Sequence, residues 1–106
     1  MTFIGKRVSL RYESGLEVVA DYKSPTEMAW EALTGPGKGT RGTETIYAAE
    51  VAPSVFFISW LEKDKGISVS NVLDLKNLRV TGFVTFDSPQ GRQSFFDKGT
   101  VTELQR

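Results

Sequence analysis

The 106-residue chain contains neither cysteine nor histidine, and these two absences remove whole classes of mechanism. Without cysteine there is no disulfide framework and no thiolate nucleophile. Without histidine there is no imidazole base, no Ser-His-Asp triad and no Cys/His zinc site. Chemistry in this protein must therefore use carboxylates, tyrosines, lysine or arginine. The Asp and Glu residues are scattered, and no run has the alternating Asp/Asn spacing and distant Glu of a calcium loop, so no metal is expected. An excess of charge of either sign is also missing: Lys plus Arg and Asp plus Glu each number 13, and the pI is near 6.3. No sequence-wide basic field exists to attract a phosphate backbone, so nucleic acid is not an expected partner. No apolar run is long enough to span a bilayer, and Lys6, Arg7 and Arg11 interrupt the first twelve residues as a secretory leader would not allow. The expectation is a cytoplasmic protein with no membrane partner.

What is present is ordinary globular composition, 40% hydrophobic and 25% charged, in a length that suits one domain spanning 1–106. Short alternating runs separated by turn residues give the signature of an all-β meander. Val8, Leu10 and Tyr12 share one face, Glu13-Ser14-Gly15 turns the chain, and Leu16, Val18, Ala20 and Tyr22 follow. Further strands are expected over Thr43 to Val51, Val55 to Glu62, Ile67 to Leu73 and Leu78 to Phe86. A closing pair is expected at Ser94 to Phe96 and Thr100 to Leu104, with a turn at Asp97-Lys98-Gly99. The stretch from Ser24 to Gly35 is ambiguous. Ser24 and Glu27 make a capping box, Pro25 suits a first helical position and Gly35 a C-terminal cap, while Met28, Trp30 and Ala32 alternate as a strand would.

The run Val55-Phe56-Phe57-Ile58-Ser59-Trp60-Leu61-Glu62 is the most telling. Its period-2 face reads Phe56, Ile58, Trp60 and then Glu62, so the glutamate should point with the apolar side chains toward low dielectric. In such surroundings a carboxylate holds its proton more tightly and becomes a usable general acid or base. The bland alternative is that Glu62 begins the solvated turn Lys63-Asp64-Lys65-Gly66. Gly35 to Gly42 resembles a phosphate loop in composition only, since Gly39 rather than Ser or Thr follows Lys38. A mobile loop beside a barrel mouth fits better, with Arg41 able to meet an anion. Tyr12, Tyr22, Trp30, Tyr47 and Trp60 place polar-tipped aromatics on inferred inward faces, either lining a pocket or filling a core. Phe95-Phe96 reads as packing or an edge contact between subunits.

Phe3-Ile4-Gly5-Lys6, Tyr12-Glu13-Ser14-Gly15, Ser59-Trp60-Leu61-Glu62 and Thr81-Gly82-Phe83, spread over residues 3 to 86, together resemble the phenolic acid decarboxylases and their small MoaF-like relatives. The resemblance implies a calycin or lipocalin-like antiparallel up-and-down β-barrel with a central cavity, often dimeric, and it makes residues 26 to 33 a strand. It also implies catalysis without a cofactor by two tyrosines two residues apart, a loop arginine and a strand-end glutamate. Tyr12 matches the second tyrosine, Glu62 the glutamate and Arg41 the arginine. Leu10 stands where the first tyrosine belongs and cannot hydrogen-bond a carboxylate, which argues against efficient decarboxylation.

The sequence thus leads to an all-β barrel of about eight strands that binds a small aromatic or carboxylated metabolite, with acid/base chemistry of the lyase or isomerase type as an option. Glu62, Tyr12 and Arg41 are the catalytic candidates; Leu10, Tyr22, Trp30, Tyr47, Ile58 and Trp60 are the ligand-binding ones. No cofactor is expected, and a homodimer is admissible. The competing expectation is a nonenzymatic carrier or interaction module whose barrel is plugged by its own aromatics.

Overall fold

The period-2 alternation is realised as nine antiparallel strands in a computed structural model that describes residues 2–105. In chain order they are β1 (Arg7–Tyr12), β2 (Glu17–Ser24), β3 (Glu27–Ala32), β4 (Arg41–Thr45), β5 (Tyr47–Ala52), β6 (Val55–Glu62), β7 (Ile67–Asp74), β8 (Arg79–Ser88) and β9 (Gly91–Leu104). A single 3-10 turn at Lys63–Lys65 links β6 to β7. Each strand pairs with its sequence neighbour except across β4 and β5, and β1 pairs with β9. The result is an up-and-down sheet curled into a nearly closed barrel, with β4 and β5 as its two edges.

The run from Thr43 to Val51, expected as one strand, is broken into β4 and β5. Ile46 is fully buried, and its N–H donates to the Thr26 carbonyl at 2.9 Å. The chain bends there to send this side chain into the core, and the two halves pair with opposite ends of the sheet. The ambiguous segment is strand, as the resemblance implied. Ser24 does not cap a helix: its Oγ accepts the Thr26 N–H at 3.2 Å and closes the β2–β3 turn. Tertiary burial of Met28 and Ala32 on one side of β3 outweighs the local helix signals.

The expected closing pair is instead one strand of 14 residues. Asp97-Lys98-Gly99 does not turn, because Gly99 pairs with Val80 on one side and Tyr12 on the other. It is the residue at which β9 passes from β8 to β1. A Cβ there would strike the Arg11 carbonyl and come within 2.7 Å of Tyr12 Cα. Glycine is needed for the two backbones to approach.

Apolar side chains fill one end of the barrel. Phe3 leads in before β1 and is fully buried, with ring centroids 5.3 Å from Tyr22 and 5.0 Å from Phe56 in edge contacts. Gly5 N–H donates to the Tyr22 carbonyl at 2.7 Å and fastens this plug to β2. Ile58, Leu73, Val8 and Val80 complete the packing of this closed end, all with at most 1% exposure. The interior remains open at the opposite end, where β6 finishes at Glu62.

Candidate functional site

Small side chains create the space. Ala20, Ala32 and Gly82 stand where β2, β3 and β8 face the interior, and they leave a cavity of about 200 Å³ walled by Leu10, Met28, Val69 and both tryptophans. Glu62 lies on its rim, and also borders a more open cleft of about 540 Å³ between β4 and the end of β6. The inward face of β6 follows its period-2 spacing: Phe56 and Ile58 are fully buried, Trp60 is 7% exposed, and Glu62 continues the same face.

The polar groups form two clusters. At the rim, the Trp60 indole N–H donates to Glu62 Oε2 at 3.0 Å, and Lys65 Nζ lies 3.9 Å from Glu62 Oε1. Only 13% of the Glu62 side chain is exposed. Lys65 Nζ also sits 5.0 Å from the centroid of the Trp30 ring. Trp30 is oriented by its own N–H, which donates to Glu44 Oε2 at 2.8 Å. Gly42, opposite Trp30 in the β3–β4 register, makes room for the indole, since a Cβ there would lie 2.6 Å from its Nε1. The last residue of the Gly-rich stretch thus serves aromatic placement rather than phosphate binding.

Deeper in, Tyr12, Asn71 and Asp97 converge on Gly82. A Cβ on Gly82 would lie 2.7 Å from Asn71 Oδ1 and 3.8 Å from the Tyr12 hydroxyl. Asp97 accepts hydrogen bonds from Ser14 Oγ at 2.6 Å and from the Lys98 N–H at 3.0 Å. Asn71 is 3% exposed, and its Oδ1 is the buried side-chain polar atom among the described residues that has no hydrogen-bond partner. Burial pushes the Tyr12 phenol up to about 12; the Asn71 side chain pulls the other way and the Asp97 charge adds to the rise. Burial also pushes Tyr22 up, helped by Tyr12.

These shifts have a stability consequence. Both folded values lie above the unfolded tyrosine value of about 10, so the stabilisation is complete below that pH and is lost as pH rises through the folded values. Tyr12 alone accounts for a loss of about 2 kcal/mol between pH 10 and 12. Urea unfolding should show stability falling steeply across that window, and Tyr12→Phe should make the fall shallower. A flat profile from pH 9.5 to 11.5 would contradict the burial of these phenols.

Five of the expected site residues meet at the cavity: Leu10, Tyr12, Trp30, Trp60 and Glu62. Four do not. Arg41 pairs with Glu31 across the β3–β4 register on the outer surface, its Nε 3.5 Å from Glu31 Oε1 and its side chain 76% exposed. Tyr47 sits opposite Ser59, is 69% exposed, and borders the open cleft beside Glu62 rather than the cavity. Both are odd-numbered residues on a stretch whose even positions, Gly42, Glu44 and Ile46, face inward. Tyr22 and Ile58 do point inward, yet they belong to the packed closed end and not to the open space. Phe95-Phe96 reads in sequence as packing or an edge contact between subunits; Phe95 borders the cavity although 47% exposed, and Phe96 is 67% exposed. Asn71 and Asp97 were missed. For Asn71 a signal existed, since it interrupts the inward face Ile67, Val69, Leu73 with an amide. For Asp97 the signal was hidden by its reading as a turn residue.

The chain matches the MoaF-like family model over residues 4–102. A crystal structure described as a "putative beta-lactamase" from Burkholderia vietnamiensis superposes with a TM-score of 0.82 at 23% sequence identity, covering 98% of this chain and 97% of that one. That likeness is one of fold. No curated protein matches the chain in sequence.

Proposed function

Since the chain belongs to the MoaF-like family and its barrel keeps an open space behind Glu62, we propose that it binds a small, flat, largely apolar molecule with one aromatic ring inside the barrel. The observation that carries this reading is the cavity of about 200 Å³ with two indoles and two carboxylates in its lining. A dry apolar cavity of about 150 Å³ suffices for benzene, so the size suits a single ring with short substituents. Convergent polar groups on apolar walls are what fix the orientation of such a ligand. The plugged-barrel alternative describes the closed end around Phe3 but not the end at Glu62.

Decarboxylation of a phenolic acid is not part of the proposal. Leu10 lines the cavity without offering a donor, and Arg41 lies outside it. Any proton exchange inside falls to Glu62 and Asp97, with Tyr12 as a hydrogen-bond donor.

Trp30 and Trp60 are the two tryptophans of the chain, so intrinsic fluorescence reports occupancy directly. p-Cresol should change it saturably. Ala20→Leu, which adds bulk to a buried wall position, should abolish the change while the protein stays folded by circular dichroism. No saturable response to p-cresol or indole in the unaltered protein would refute the reading.

A further inference from the structure

The charge of the lining determines what class of ring the cavity suits, an inference that rests on the cavity being a ligand site. Among the described residues that line it, Glu62 and Asp97 carry carboxylates and no lysine or arginine is present. An anionic ligand would enter a low-dielectric space beside two like charges, with the half-exposed Lys65 at the rim as the one cation close to either of them among the contacts described, which is unfavourable. A cation meets the opposite situation.

The rim already holds a cation of the protein's own. Lys65 Nζ is 3.9 Å from Glu62 Oε1 and 5.0 Å from the centroid of the Trp30 ring. A carboxylate beside an aromatic face is the pairing that recognises ammonium groups. The lysine is loosely held: its side chain is 47% exposed and its contact with Glu62 is long, so the Coulomb gain is small and screened. The turn that carries it is nevertheless fixed, because Arg92 Nη1 donates to the Gly66 carbonyl at 2.7 Å and to Asp87 Oδ1 at 2.9 Å. Lys65 is therefore a replaceable occupant of a preformed site.

The second observation lies at the inner end. Asn71 Oδ1 is a buried acceptor with no donor, an arrangement that costs free energy until a donor arrives. Asn71 pairs with Ile58 on β6, four residues below Glu62, which puts about 13 Å of strand between the two levels. With both side chains reaching inward, the gap suits the length of a para-substituted phenylethylamine.

We propose that the cavity takes a small aromatic amine with a hydroxyl at the end remote from its ammonium group. The ammonium occupies the Glu62 and Trp30 site in place of Lys65, the ring lies between the apolar walls, and the hydroxyl donates to Asn71 Oδ1.

Calorimetric titration of the intact protein with four probes tests this: tyramine, phenethylamine, p-cresol and 3-(4-hydroxyphenyl)propionate. Tyramine should bind tightest, and the propionate, of similar shape but opposite charge, at least about tenfold more weakly. Glu62→Gln should lower tyramine affinity about tenfold, Lys65→Met should raise it severalfold, and Asn71→Leu should erase the advantage of tyramine over phenethylamine. Lys65 is half-exposed, so its variant keeps the test informative even if an interior variant misfolds. Equal binding of propionate and tyramine, or tyramine affinity lowered by Lys65→Met, overturns the inference. If p-cresol binds and tyramine binds no better, the amine class is refuted and the cavity reading stands. If none of the four binds, the cavity reading itself fails.

Discussion

Gly99→Ala is expected to cost about 3 kcal/mol or more, a loss at the upper end of what overpacking produces, and to lower Tm by about 15 °C in a domain of this size. The added methyl would meet the Arg11 carbonyl and Tyr12 Cα, and these are backbone atoms of a paired strand, with no rotamer to escape into. Either β1 separates from β9 or β9 separates from β8, and each breaks a ladder that closes the barrel. The control is Gly37→Ala. Gly37 lies in the surface loop before β4, with Thr40 Oγ1 as the nearest obstacle at 3.5 Å, so its variant should melt close to the unaltered protein. Thermal denaturation followed at a β-sheet band compares the two; a cost below 1 kcal/mol at Gly99 would mean that the strands do not approach as described.

Phe3→Ala should be at least as damaging, about 3–5 kcal/mol. The ring is fully buried and contacts Tyr22 and Phe56 edge-on. Its removal leaves a void at the closed end that the sheet cannot collapse to fill, because β2 and β6 are held apart by their own ladders. Phe3→Leu, which keeps much of the volume, should cost less than half as much. Urea titration of the three proteins gives the ordering. A small effect of Phe3→Ala would mean that the residues before β1 do not plug the barrel.

The same two residues show where sequence reading succeeds and where it stops. Strand alternation is local information, so β1, β2, β6, β7 and β8 and the inward face of β6 through Glu62 were legible. Gly99 reads as a turn because glycine after Asp97-Lys98 favours one locally, while the need for close backbone approach depends on two partners distant in sequence. Phe3 carried no periodic signal at all, since it precedes the first strand. At the site, parity correctly grouped Leu10, Tyr12, Trp30, Trp60 and Glu62. It failed for Arg41 and Tyr47 because their phase is set by pairing with β3 and β6 and by the bend at Ile46, none of which the local pattern contains. Parity also gives direction but not depth, which is why Tyr22 and Ile58 face inward yet fall in the packed half.

The way the two edge strands meet bears on how the proposed ligand would enter. β4 hydrogen-bonds to β3 only, and among the described residues no backbone hydrogen bond joins it to the last residues of β6 across the cleft beside Glu62. Parting that seam breaks side-chain packing but no rung of the sheet, so it is a sub-global opening far cheaper than unfolding. Movement of β4 would carry Glu44, and with it the hydrogen bond that orients Trp30. For the ligand proposed above, parting of this one edge would widen the way in and out at the Glu62 end, while the plugged half of the barrel stays packed.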